Sequence, residues 1–249
     1  YYGLKEIGKT ACVICPDIIP KKYDYFARST DHVAGAGATV VAVDVADTKL
    51  LGALKDEFSG IVDLNIDHHI SNMRYAKNLY LDADASSTAE LIYELLIQMK
   101  VNINDTTARA LYTGIATDTG CFKYSNVNAK THLITAELYE YDLNAAEINR
   151  KMFDTKSHAL IELEKMVLDT AEFHFDNRCM LLTVTAEMQE KTGCSGTELE
   201  GIADMVEYAK QQRVVCMRRV KKVWSENLIN YINIVEDYEA AQDAAAPTP

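Results

Sequence analysis

The chain has 249 residues, of which 48% are hydrophobic and 25% are charged, and it contains only four prolines. This composition is typical of a folded globular protein and excludes a disordered or fibrous one, while the length favours two domains over one. The formal net charge of -12 argues against a protein that coats long nucleic acids, because such affinity comes mostly from neutralising phosphates. Small anionic ligands held at a local metal centre are not excluded.

The sequence shows no sign of a membrane or secretory protein. No stretch reaches the roughly 18 uncharged apolar residues that a membrane helix needs, and no signal-peptide pattern is present at the start. The six cysteines are scattered, as expected for reduced thiols. Cys12 and Cys15 form a C-x-x-C pair, but the redox motif expects such a pair at the start of a helix, and "TACVIC" predicts a buried strand. We therefore expect a cytoplasmic protein.

The first predicted element is a helix in "YYGLKEIGKT" (1–10), which ends at Gly8, a residue that suits the left-handed cap position. The helix has no start signal and the chain does not begin with Met. We therefore expect an upstream strand and loop in the complete protein. Apolar runs then predict strands in "ACVIC" (11–15) and "ATVVAVDVAD" (38–47).

Strands and helices alternate in the segment that follows. Asp47 is expected to cap a short helix around 48–58, and "GIVDLNIDHH" (60–69) predicts the next strand. The stretch "SSTAELIYELLIQMK" (86–100) has helical apolar spacing and a Ser/Thr start. "TTARALYTGIATDTG" (106–120) predicts a helix or apolar run, and "AKTHLITAELYEYD" predicts another amphipathic helix. This alternation predicts an α/β fold with a parallel sheet wrapped by helices.

The remainder of the chain predicts a connector and a smaller domain. Residues 146–172 have the pattern of one long linker helix, which separates a first domain (1–145) from a second (173–249). The second domain contains "FHFDNRCMLLTVT", an acidic helix in "GTELEGIADMVEYAK" and a basic segment "RVVCMRRVKKVW". This arrangement is typical of a small, incomplete α+β domain. Its tail, "AAQDAAAPTP", has low complexity and predicts disorder.

Acidic and histidine side chains follow three apolar segments at the points where these segments end. Asp44 follows "TVVAV", the run Asp67, His68, His69 follows "VDLNI", and Asp118 follows "LYTGIAT". The carboxyl ends of parallel strands share one edge of a sheet, so these side chains are expected to meet there. Any one aspartate in such a place could be a helix cap or turn residue. Together, carboxylates and imidazoles without thiolates predict a site for a divalent ion such as Mn²⁺ rather than structural zinc.

The stretch "NIDHHISN", with "VVAVDVAD" before it and "ASSTAELIYEL" and "GIATDTGCFKYSN" after it, resembles the DHH phosphoesterases. The similarity is greatest to the branch with a DHHA1-type second domain, which includes oligoribonucleases and phosphoadenosine phosphate phosphatases. It covers nearly all of residues 1–150, with the motifs in the same order. The resemblance implies a two-metal hydrolase that uses Mn²⁺ and cleaves phosphate esters of small nucleotides or very short RNA, and a partial DHHA1-like second domain.

The resemblance also implies roles for individual residues. Asp44 is similar to the carboxylate that bridges two metals, and His68 and Asp118 are similar to further ligands of one of them. His69 is similar to the histidine that approaches the scissile phosphate. Asp67 then fits the role of orienting an imidazole, which ligating histidines generally require.

Five further residues are candidates for substrate binding, each with a structural alternative. Asn72, Ser86 and Ser87 could contact phosphate or position the loop, but they are also common cap and turn residues. Arg218 and Arg219 lie in a basic run of an otherwise acidic chain. Guanidinium groups recognise phosphate oxygens well, although basic runs on solvated strand faces are common.

Two motifs of the family have no counterpart in the chain. The early H-x-x-P-D-x-D motif, which supplies a histidine and two aspartates, would precede the helix with which the chain begins, so we expect an N-terminal truncation. The glycine-rich G-G-G-H motif of the second domain is absent after residue 210. The complete family site holds two Mn²⁺ ions, whereas Asp44, His68 and Asp118 are expected to hold one here. Turnover by the 249-residue chain is therefore expected to be near background.

Two other functions stay open at this point. Inorganic pyrophosphate hydrolases use similar motifs, but "PDIIPKKYDYF" and the second domain resemble the nucleotide branch more closely. A non-catalytic module that binds nucleotide or one metal ion is also consistent with the missing ligands. The expected partners are a small nucleotide or short RNA, with no membrane and no long nucleic acid, and a homodimer is not excluded.

Overall fold

The structure is a computed structural model that describes residues 1–17, 19–23, 25–26, 37–174, 179–194, 202 and 214–220. It divides into two units, Tyr1–Thr155 and Lys156–Pro249. Within the described ranges, none of the helices has the length and apolar character needed to cross a bilayer. The predicted disordered tail and, apart from residue 202, the predicted acidic helix lie outside the described residues.

A three-stranded parallel sheet lies in the first unit, in the order β1 (Val41–Val43), β2 (Leu64–Asp67) and β3 (Asn78–Leu81). The register pairs Val43 with Ile66, so the residues that follow β1 and those that end β2 meet at one edge. This confirms the predicted parallel sheet. Strand β3 was not predicted, because its four residues are too short for a clear periodic pattern.

Helices precede and follow the strands of this sheet along the chain of the first unit. Their bounds are α1 Tyr2–Glu6, α2 Lys55–Phe58, α3 Thr88–Gln98, α4 Asp105–Asp118, α5 Ala129–Leu138 and α6 Ala145–Asn149, with 3-10 turns at Lys21–Tyr23 and Thr48–Leu54. The three longest begin at side-chain caps, since Ser87, Asn104 and Asn128 each accept a hydrogen bond from a backbone N–H in the first turn. Their apolar faces form the core of the unit, in which Leu91 and Ile115 are fully buried.

The predictions for the start of the chain were only partly correct. Helix α1 is followed by Gly8 with φ of 74°, as predicted for a left-handed cap. The predicted strand over 11–15 is wrong, because these residues have no regular secondary structure. Val13 is 53% exposed, so this apolar run does not bury itself in a sheet. The predicted strand 38–47 is shortened to β1, since Asp44 adopts a left-handed backbone that ends it.

The second unit is built on a mixed sheet and two described helices. Helix α7 (His158–Leu168) precedes β4 (Glu172–His174) and β5 (Cys179–Thr185), which are followed by α8 (Ala186–Thr192) and β6 (Val214–Val220). Strand β5 lies in the middle, antiparallel to β4 and parallel to β6. Leu163, Val167 and Leu182 lie in the core. This arrangement agrees with the predicted small α+β fold, although α8 was not predicted.

The predicted single linker helix over 146–172 is wrong. Helix α6 ends at Asn149, and a π-helical turn (Arg150–Asp154) leads to Thr155 in an extended conformation. Helix α7 then begins anew, because the Ser157 side chain accepts a hydrogen bond from the N–H of Leu160. The division between the two units falls in this interruption. The boundaries given above for the two domains, and the DHHA1-like character of the second, stay predictions.

Candidate metal centre

Asp44 occupies a constrained position directly after β1. Its φ of 61° lies in the left-handed region, which aspartate tolerates better than most residues and which is frequent at functional sites. The backbone N–H donates to the carbonyl of Ile66 at 2.9 Å, and carboxylate Oδ1 accepts the hydroxyl proton of Thr88 at 2.7 Å. Both main chain and side chain of Asp44 are therefore fixed to neighbouring elements.

One ring nitrogen of His68 faces two carboxylates, and the other faces a backbone carbonyl. Its Nε2 lies 3.8 Å from Asp44 Oδ1 and 3.3 Å from Asp118 Oδ2. Its Nδ1 lies 3.1 Å from the carbonyl oxygen of Ala85. A carbonyl can only accept, so this contact assigns the proton to Nδ1 and leaves Nε2 able to bind a cation.

Asp118 reaches this group from a different kind of element than predicted. The sequence predicted a helix or apolar run over 106–120 and grouped Asp118 with the strand ends, but Asp118 is the last residue of helix α4. Asp44, His68 and His69 offer ligand atoms that all lie within 4.8 Å of one another, and Asp118 is not in this closest set. Asp118 approaches the set at His68, with its Oδ2 3.3 Å from His68 Nε2.

Asp67 organises the second histidine from a buried position. It is 0% exposed, and its Oδ1 accepts from His69 Nδ1 at 2.7 Å and from the backbone N–H of His68 at 2.8 Å. The other oxygen accepts from Asn72 Nδ2, which also donates to Asn65 Oδ1. This geometry agrees with the predicted orienting role of Asp67, and His69 is the imidazole that it orients.

The charges of the site shift three pKa values. Burial pushes the pKa of Asp67 upward, but the hydrogen bonds from His69 and Asn72 outweigh it and lower the pKa below the usual value. The hydrogen bond to Asp67 raises the pKa of His69 against the opposing effect of burial. Burial, and then the nearby charge of Asp44, raise the pKa of Asp118. The site therefore concentrates negative charge around two imidazoles, which favours cation binding.

The donor set fits a divalent ion. Atoms separated by 3.3 and 3.8 Å, as around His68 Nε2, can both contact one ion at bond lengths of about 2.0–2.2 Å. Carboxylate oxygens with imidazole nitrogens suit borderline cations such as Mn²⁺. Among the residues that the structure describes, the one group of at least three Asp, Glu, His or Cys side chains close enough to share an ion is Asp44, His68 and His69, with Asp118 3.3 Å from His68.

Comparison with known proteins agrees with this geometry. Residues 1–115 match the model of the DHH family, N-terminal domain. This segment is a DHH family N-terminal domain. The chain is 32% identical over 202 residues to the bifunctional oligoribonuclease and PAP phosphatase NrnA of Thermus thermophilus, covering 78% of this chain and 58% of that protein. It is 28% identical over 177 residues to the NrnA of Bacillus subtilis, covering 70% of this chain and 56% of that protein.

A solved structure shows the same fold. The crystal structure of an exopolyphosphatase-related protein from Bacteroides fragilis superposes with a TM-score of 0.75 at 25% identity, covering 84% of this chain and 68% of that one. The resemblance to DHH phosphoesterases and the α/β fold class are thus confirmed. The chain spans a little over half the length of the two curated relatives named above.

Three predicted substrate-binding residues of the DHH domain have partners inside the protein. Ser86 is buried and donates its hydroxyl to Glu90, and Ser87 is buried as the cap of α3. Asn72 is buried between Asp67 and Asn65. These contacts favour the structural alternative for all three, and a phosphate contact through them stays a prediction.

The predicted basic residues lie in the second unit. The backbone of Arg218 pairs with Thr183, and that of Arg219 pairs with Val184, within the β5 and β6 ladder. Their side chains lie outside what the structure describes, so their substrate-binding role stays a prediction. Asp47, by contrast, is confirmed as a cap, because it accepts from the N–H of Lys49 at 2.9 Å.

Two residues that hydrogen-bond to the proposed ligands Asp44 and Asp118 were not singled out from the sequence. Thr88 holds Asp44, but in "SSTAE" its hydroxyl is only one of three in a helix start. Asn126 donates from Nδ2 to the carbonyl oxygens of Ser86 and Asp118, at 2.9 and 3.1 Å. It follows the "TDTG" turn with no pattern that separates it from an ordinary loop asparagine.

We expect His69 to titrate at a pKa above its ordinary value of about 6.5 when divalent ions are removed by chelation. NMR titration of the histidine ring protons should show this, and Asp67→Asn should lower the His69 pKa because it removes the partner charge. The stability that His69 contributes is full below about pH 6.5 and is lost as pH rises through the raised pKa. Asp47→Asn is the control and should leave His69 unchanged. An unshifted pKa after Asp67→Asn would contradict the pairing.

Proposed function

We propose that this chain supplies the catalytic domain of a divalent-cation-dependent phosphoesterase that acts on small nucleotides or very short RNA. The observation that carries the proposal is the pair of carboxylates, Asp44 and Asp118, that face His68 Nε2 at 3.8 and 3.3 Å at the edge of a parallel sheet. The substrate class is supported by the relatives, which are named oligoribonuclease and PAP phosphatase.

The proposed cation ligands are Asp44, His68 and Asp118, with one Mn²⁺ expected through them. A divalent ion at such a site supplies Lewis-acid chemistry, since it polarises a phosphoryl oxygen and lowers the pKa of water. The protein prepares the ligands in advance. The carbonyl of Ala85 fixes the His68 tautomer, and Thr88 fixes the Asp44 carboxylate, so little reorganisation is needed when the ion binds.

His69 is assigned to the phosphate and Asp67 to the orientation of His69. The Nδ1–H bond to Asp67 holds the ring in place, and in the absence of a metal ion it raises the pKa of His69. A protonated imidazole can donate from Nε2 to a phosphate oxygen in a charge-assisted hydrogen bond. It can also give a proton to a leaving oxygen, which is general acid chemistry.

The proposed site predicts selective binding of one Mn²⁺ ion. Titration of the 249-residue chain by calorimetry and by paramagnetic NMR broadening should show a single site, which prefers Mn²⁺ to Mg²⁺ because one ligand is an imidazole. The double variant Asp44→Ala, His68→Ala should lose this binding. Asp47→Ala is a matched control, since this acid lies in the same loop but caps a helix turn. Equal binding by the double variant would overturn the site.

A further inference from the structure

One short segment, the loop-to-helix junction 85–88, is linked by hydrogen bonds to all three proposed metal ligands. It bonds to two of them directly and to the third through Asn126. The carbonyl oxygen of Ala85 lies 3.1 Å from His68 Nδ1. Three residues later, the hydroxyl of Thr88 donates to Asp44 Oδ1 at 2.7 Å. The two ligands follow separate strands of the sheet, β1 and β2, so this junction ties both to the start of helix α3.

The third ligand is tied to the same junction through Asn126. Its side-chain amide donates one hydrogen bond to the carbonyl oxygen of Ser86 at 2.9 Å and another to the carbonyl oxygen of Asp118 at 3.1 Å. The carbonyl of Asp118 lies at the end of α4, where the last carbonyls of a helix have no partner within it. Asn126 therefore couples the end of α4 to the junction.

The junction itself is held in place by buried contacts. Ser86, Ser87 and Thr88 are all buried. The hydroxyl of Ser86 donates to Glu90, and that of Ser87 accepts from the N–H of the same residue. A segment fixed in this way can orient other groups, because its own side chains have little freedom left.

We propose that Thr88 is a positioning residue for the divalent-cation site, with its hydroxyl fixing the Asp44 carboxylate. Asp44 leaves β1 with a left-handed backbone, so its carboxylate direction is not set by a continuing strand. Thr88 is the donor that sets it. Asn126 plays the corresponding part for Asp118 through the main chain. This inference rests on the proposed function, since it assigns these residues to the same cation site.

The test is the Mn²⁺ affinity of three threonine variants of the 249-residue chain, measured by calorimetry. Thr88→Val keeps the shape and removes the hydroxyl, and it should weaken Mn²⁺ binding on the order of tenfold. Thr88→Ser keeps the hydroxyl and should bind close to the unmodified chain. Thr135→Val is the matched control, because this buried helical hydroxyl donates to the carbonyl of Thr131 instead. Thermal unfolding without Mn²⁺ shows whether each variant folds.

The pattern across the variants separates positioning from packing. A packing role predicts the reverse order, since valine retains the methyl group and serine loses it, and that order would overturn the proposal. If Thr88→Val does not fold, Asn126→Ala tests the same junction from an exposed loop, with Asn102→Ala, at another exposed loop asparagine, as control. Unchanged affinity in the folded variants would overturn this inference alone. If the unmodified chain itself binds no Mn²⁺, no variant can lose binding, and that result would overturn the proposed site as well.

Discussion

Asp118→Asn should remove most Mn²⁺-dependent hydrolysis from a chain extended at its N-terminus by a segment with the H-x-x-P-D-x-D motif. The 249-residue chain, in which that motif is absent, is expected to stay near background, because the proposed two-metal mechanism needs both ions fixed with open coordination positions. Loss of one ligand typically costs on the order of tenfold or more in affinity or activity. Initial rates with short RNA, phosphoadenosine phosphate and pyrophosphate measure the effect and identify the substrate.

His69→Ala separates phosphate contact from metal binding in the same assay. Its Mn²⁺ affinity should largely survive while turnover falls on the order of a hundredfold, since a lost general acid typically costs at least that much. His158→Ala is the control, because His158 is an exposed residue of the second unit. Full activity in the unextended chain, or an unimpaired His69→Ala enzyme, would show that the roles are assigned wrongly. Preference for pyrophosphate, or binding without hydrolysis, would support the alternatives considered from the sequence.

The second large effect concerns the core beneath the site. Leu91 is 0% exposed and packs with Ile66 and Ala85, so Leu91→Ala should lower the free energy of unfolding by about 2–5 kcal/mol through lost burial and a cavity. Ile97 lies on the same helix but is 50% exposed. Ile97→Ala should therefore change the stability by only about 0.5 kcal/mol.

Urea unfolding followed by far-UV circular dichroism measures both stability variants. Hydrogen exchange of the α3 amides then shows whether the loss lies in the first unit, because the two units need not unfold together. Equal costs for the two substitutions would contradict the burial of Leu91. A loss of Mn²⁺ affinity in Leu91→Ala, with Ile97→Ala unaffected, would further show that the core under the junction supports the site.

Local sequence patterns were reliable where the determining interactions are local. The start of α3 at Ser87 and the cap at Asp47 both depend on a side chain that reaches a backbone N–H two or three residues away. Helical spacing of apolar residues identified α3, α5 and the helical part of 106–120 for the same reason. The alternation of strands and helices was enough to predict the parallel sheet, because short crossovers leave few other topologies.

The wrong or missing predictions concern segments whose structure depends on a distant strand, or segments that contain a second helix start. The run 11–15 is as apolar as a strand but has no regular secondary structure. Residues 146–172 have helical composition throughout, yet a new cap at Ser157 divides them. The short strand β3 exists through its pairing with β2, which no local pattern reveals.

The sequence by itself determined the residue types of the site and their approximate place, because acids and histidines that follow apolar segments gather at one edge of an α/β sheet. Only the tertiary structure decided how they are held. Thr88 and Asp44 are 44 positions apart, and Asn126 joins the junction before α3 to the end of α4 through main-chain carbonyls. Such contacts depend on how α3 and α4 pack against the sheet, and packing is a property of the folded chain rather than of any short stretch of it.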